Sequence, residues 1–88
     1  MKEKILSIIN KISPYEITID MMKDKFETLS FSSLDRVNLL IEIEEEFDII
    51  IDESNLIDIV FDDTLESFIL SIEKVINKEL GEKKKNDQ

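Results

Sequence analysis

The residues best placed to do chemistry are a serine pair, Ser32 and Ser33, followed by Leu34 and Asp35 at the head of an apolar-periodic run. At a helix N-terminus a serine hydroxyl is exposed, beside unpaired backbone N–H groups and the positive end of the helix dipole. That position suits a phosphate attached to the hydroxyl. The same two residues also read as plain N-capping residues. Ser32 with Asp35 three positions on fits the capping-box spacing, in its weaker Asp form.

Other chemistry is restricted by what the chain lacks. With no His and no Cys, the usual acid–base and nucleophile pairs cannot be assembled, and disulfides and thiolate metal sites are excluded. A serine hydrolase needs a base beside its nucleophile, and no Ser-Lys motif supplies one. Glu44, Glu45 and Glu46 are consecutive on a helix, point to different sides and cannot converge on one substrate or metal. Glycoside chemistry needs two carboxylates across a deep cleft, for which a bundle of this size has little room. The calcium-loop frame has no match, and the single Gly lies near the C-terminus. A non-catalytic protein without a metal site is expected.

The run that carries the serine pair extends to Asp48. At about 100° per residue, Leu39, Leu40, Ile43 and Phe47 share one arc, the expected core face. Leu34, Val37 and Ile41 form a second stripe on the opposite side, among Asp35, Asn38, Glu42, Glu45 and Asp48. Carboxylates around that stripe make its burial costly, so it is expected to face partners. Residues 33–48 hold six acids against one Arg, half of the chain's net negative charge of −10.

Other segments must hold that helix. Ile5, Ile8, Ile9 and Ile12 repeat at helical spacing, predicting helix 1 over 2–12, stopped by Ser13-Pro14. Residues 13–31 read as a long connection, pinned by Phe26 and Leu29; Tyr15, Ile17 and Ile19 alternate like a short strand, but no partner strand is evident. Ile49-Ile50-Ile51 is expected to be an extended, buried connection. Leu56, Ile59 and Val60 predict a short helix 3 ending near Phe61. Asp63 or Thr64 starts helix 4, in which Leu65, Phe68, Ile69, Ile72 and Ile76 repeat as far as about Leu80, with Gly81 as the residue after its end. Residues 81–88 are expected to be a disordered tail, leaving 1–80 as the folded domain. The expected fold is an all-α four-helix bundle with a long first loop and a short third helix.

Composition fits this picture. The chain has 88 residues, 42% of them hydrophobic, with 21 acidic against 11 basic residues. One small domain is the most such a length supports. Its negative field repels nucleic acid and steers basic protein surfaces toward it. No apolar run has the length of a membrane span, and Met1-Lys2-Glu3-Lys4 leads straight into helix 1 without a signal-peptide core. A cytoplasmic monomer, with neither a membrane nor a nucleic-acid partner, is expected.

The segment Phe26-Glu27-Thr28-Leu29-Ser30-Phe31-Ser32-Ser33-Leu34-Asp35, with Glu44-Glu45-Glu46-Phe47, Ile51 and Thr64-Leu65-Glu66-Ser67 at matching distances, resembles the acyl carrier proteins and related peptidyl carrier domains. The resemblance spans roughly residues 2–80 and is densest over 26–51. It implies an acyl-carrier-type bundle and a covalent 4′-phosphopantetheine on Ser33, added from coenzyme A by a phosphopantetheinyl transferase. It also implies acyl or aminoacyl cargo held as a thioester, and a second helix read by basic patches on ligases, synthases and transferases through Leu34, Asp35, Val37, Asn38, Ile41, Glu42 and Glu45. Two positions depart from the family's Gly-x-Asp-Ser-Leu pattern: Ser30 stands for the Gly and Ser32 for the Asp. Ser32 can still cap the helix but brings no carboxylate to a transferase. These departures point to a specialised stand-alone carrier of a polyketide, nonribosomal peptide or similar pathway rather than a housekeeping fatty-acid carrier, with fatty acid biosynthesis kept among the pathways the resemblance implies. A peptidyl carrier differs from an acyl carrier only in cargo. An unmodified acidic helical module that has kept the carrier fold is the reading from another functional class.

Overall fold

The computed structural model describes residues 1–86, with side chains described as far as Gly81. Among these residues there are four helices, α1 (Lys2–Ile12), α2 (Ser33–Phe47), α3 (Glu53–Leu56) and α4 (Leu65–Asn86), two single 3₁₀ turns in the first loop, and no strand. The all-α architecture with a long first connection is as expected.

The isoleucine stripe of α1 buries Ile5, Ile8 and Ile9, and α1 packs against both α2 and α4. Lys4 pairs with Glu46 and Lys11 with Glu42, so α1 and α2 run antiparallel. Leu39 and Ile43 are fully buried on the facing side of α2, and Leu40 and Phe47 pack half-buried against the same core. From α4, Leu65, Phe68, Ile69, Ile72 and Ile76 complete it, all fully buried.

The long loop is held by its own side chains and by borrowed hydrogen bonds. Ile17, Met22, Phe26 and Leu29 are buried. Asn10 on α1 brackets Ile17, its Nδ2 donating to the Ile17 carbonyl at 2.9 Å while its Oδ1 accepts from the Ile17 N–H. This amide does for Ile17 what a neighbouring strand would do, which is why the alternating segment needs no sheet. Farther along, the Leu65 and Glu66 N–H groups donate to the Asp24 and Met22 carbonyls, and Phe26 N–H donates to the Asp63 carbonyl. The loop thus satisfies two of the donors that open α4. Thr64 is the cap, its Oγ1 accepting from the Ser67 N–H at 3.1 Å.

Three expectations are corrected. Helix α3 stops at Leu56 rather than near Phe61. Beyond it Ile59 is buried while Ile57 is 84% exposed, and the Val60 N–H donates to the Ser71 hydroxyl instead of to a helical carbonyl. Of the isoleucine run, only Ile49 is buried and Ile51 half-buried; Ile50 is 76% exposed, because extended backbone sends successive side chains to opposite sides. Finally, α4 does not end at Leu80 but continues through Gly81 to Asn86. Gly81 lacks the positive φ that a glycine closing a helix adopts. The last two residues of the tail expected to be disordered, 87–88, lie outside the described residues.

Candidate functional site

The head of α2 is built by three backbone devices in a row. The second 3₁₀ turn, Phe26–Leu29, ends at Ser30, which stands at φ 61°, ψ 32°, in the left-handed region. Phe31 then enters the core, stacking on Phe26 with ring centroids 5.2 Å apart. Ser32 follows with extended backbone and caps the helix. Its Oγ accepts from the Asp35 N–H at 3.1 Å, while its own N–H donates to Asp35 Oδ2 at 3.0 Å. The capping box expected from the spacing is therefore complete.

This capping distinguishes the two serines. The Ser32 oxygen is engaged by the helix backbone, whereas Ser33, the first residue of α2, is exposed. Among the described residues, the Ser33 hydroxyl takes part in no hydrogen bond. No cluster of potential metal ligands occurs among the described residues. The site therefore offers a hydroxyl at the positive end of a helix, to which no described side chain is hydrogen-bonded.

Along the outer side of α2, Leu34, Val37 and Ile41 are 67%, 52% and 44% exposed. Asn38 and Glu45 are exposed with them. The other two residues expected on this face are engaged elsewhere. Asp35 is half-buried and occupied by the Ser32 N–H. Glu42 is half-buried and turns toward α1, accepting from Lys11 Nζ at 3.0 Å. That contact raises the pKa of Lys11, first through the hydrogen bond and then through the charge of Glu42. The open face is thus an apolar stripe with Asn38 and Glu45 beside it, and Glu42 stands at its margin.

Arg36 was not among the expected site residues. Its guanidinium carbon lies 5.6 Å from the ring centre of Phe26 and 5.4 Å from that of Phe61. Its Nε is buried and donates to nothing. In the sequence, its place one helical turn after Ser33 was visible, but Phe61, far away in the chain, was not an evident neighbour. Further exposed aliphatic side chains lie beyond α2, at Ile50, Leu56 and Ile57.

No helix of the described residues is long and apolar enough to cross a membrane. No family model, curated protein or solved structure matches this chain.

Proposed function

We propose that the chain is an acyl carrier protein of cytoplasmic biosynthesis, modified at Ser33 with 4′-phosphopantetheine. The observation that carries this reading is the division of the serine pair. Ser32 is spent on the cap, and Ser33 presents an exposed, unengaged hydroxyl beside the Leu34, Val37 and Ile41 stripe. The left-handed backbone at Ser30 supports the same register, because the carrier pattern has glycine at that position and glycine favours that conformation.

When bound, the arm's thiol carries acyl groups as thioesters. The chain's own contributions are simpler. Ser33 supplies the hydroxyl that accepts the arm. With no His or Cys in the chain, the base that takes the hydroxyl proton comes from the transferase. The apolar stripe with Asn38 and Glu45 forms the surface for enzymes with basic patches, and Asp35 and Glu42 fix the helix that displays it.

Incubation with coenzyme A and a broad-specificity phosphopantetheinyl transferase is the direct test. Intact mass should rise by one phosphopantetheine, the gain should vanish in Ser33→Ala, and it should persist in Ser32→Ala. A mass unchanged by several transferases would instead favour the unmodified acidic module.

A further inference from the structure

We propose that Arg36 is the positioning residue for the phosphoryl group attached to Ser33, its guanidinium holding the phosphate oxygens. This deepens the carrier reading and rests on Ser33 as the attachment point.

Arg36 is the single arginine of a chain with net charge −10, yet none of the ion pairs among the described residues includes it. Those pairs join Lys4 to Glu46, Lys11 to Glu42 and Lys25 to Asp63. Among residues 1–81, whose side chains are described, the lysines outside these pairs, Lys2, Lys23, Lys74 and Lys78, are all exposed, whereas Arg36 is half-buried. A cation set against the core normally has a counter-charge. The carboxylate closest in sequence, Asp35, is occupied by the Ser32 N–H at 3.0 Å.

What holds Arg36 is aromatic. Phe26 and Phe61, edge to face with centroids 5.5 Å apart, both lie on one side of its guanidinium, and both rings pack in turn on Phe68, with centroids 4.7 and 5.2 Å away. An aromatic corner of this kind holds a guanidinium from one side and leaves the N–H donors directed away from it for an anion. Nε is buried without an acceptor, and the outer Nη groups, which are not buried in this way, make no side-chain hydrogen bond either.

A phosphate on Ser33 supplies an acceptor for the outer Nη donors and a counter-charge for the whole guanidinium. Residues three apart on a helix have Cβ atoms about 5–6 Å from one another. Helical side chains lean toward the N-terminus, so a long side chain at position 36 covers the turn that begins at Ser33. Phosphate oxygens extending from the Ser33 Oγ then come within reach of a planar fork suited to pair with them. Held there, the arm starts on the Phe61 side of α2 and leaves the Leu34, Val37 and Ile41 face clear for partners.

The test needs no transferase. A phosphate is installed on the Ser33 hydroxyl by genetic encoding of phosphoserine, and the full chain is labelled with ¹⁵N. A single arginine gives a single Nε–H resonance, so Arg36 is read without assignment. The phosphate should shift that resonance and slow its exchange with solvent. It should also have a second pKa at least about half a unit lower than the same phosphate in Arg36→Gln, by ³¹P titration. Should Arg36→Gln fail to fold, Arg36→Lys takes its place, and the resonance of the unsubstituted chain decides in either case. An Nε–H signal unmoved by the phosphate overturns the proposal. Failure of the carrier reading shows separately, as the absence of a mass gain with coenzyme A.

Discussion

Ser32 and Asp35 cap each other at the head of α2, each backbone N–H donating to the other's side chain. Removing one half of such a box costs about 1 kcal/mol. Ser32→Ala should therefore lower the urea midpoint by that equivalent and keep the attachment reaction. Ser33→Ala should leave the midpoint nearly unchanged and abolish attachment. Equal destabilisation by the two substitutions would contradict the division of labour between the serines.

The two sides of α2 should respond oppositely to truncation. Leu39 is fully buried, and Leu39→Ala should cost about 2–5 kcal/mol. Val37 is 52% exposed, and Val37→Ala should stay within about 0.5 kcal/mol. Binding to a modifying transferase, followed by calorimetry, should weaken in the Val37 variant while its melting curve remains that of the parent.

Among the described residues, Ser30 is one of two non-glycine residues at positive φ, the other being Asp48. A side chain in the left-handed region costs about 1–2 kcal/mol, partly offset by the greater freedom of an unfolded glycine. Ser30→Gly should therefore raise stability by up to about 1 kcal/mol in equilibrium urea unfolding. A loss of stability would mean that the serine side chain holds the turn.

Acid should loosen the start of α4. The Ser67 hydroxyl, donating at 3.0 Å, and the Thr64 N–H hold the pKa of Asp63 below the usual carboxylate value, with Lys25 adding to the effect. A depressed folded pKa gives stability that is present above the unfolded value, about 3.9, and is lost as pH falls through the folded one. Thermal melts of the parent should lose stability below about pH 4, and Asp63→Asn should show a flatter dependence over that range. Identical pH profiles for the two proteins would remove Asp63 from the account.

Much of this organisation is legible in the sequence wherever one segment decides its own structure. The isoleucine spacing of α1, the Ser32–Asp35 box and the two stripes of α2 are local patterns, and the structure keeps them. Elements that depend on distant partners are not legible in the same way. The Leu56, Ile59 and Val60 spacing looks helical, but Ser71 on α4 takes the Val60 N–H and the chain leaves the helix. Glu42 belongs by register to the outer side of α2 and is drawn to its margin by Lys11 on α1. Arg36 reads as one charge on an acidic helix until the fold brings Phe61 against it. Gly81 looks like a stop, but a glycine ends a helix only where the backbone turns left-handed, and here it does not.

The segment from Ile49 to Val60 contains a single helical turn of its own and is fastened largely by side chains of its neighbours. Glu44 on α2 accepts from the Ile51 N–H at 2.7 Å. Buried Asn55 donates to the Ile50 carbonyl and to Glu79 on α4, and Ser71 holds Val60 at 3.0 Å. Of its apolar side chains only Ile49 and Ile59 are buried in the core that α1, α2 and α4 share, with Ile51 packed against it, so these clips carry much of its attachment. Its amides should therefore exchange with solvent before those of the three long helices, an order that native-state hydrogen exchange checks. On this side, next to the exposed Ile50 and Ile57, the domain should yield before it unfolds as a whole.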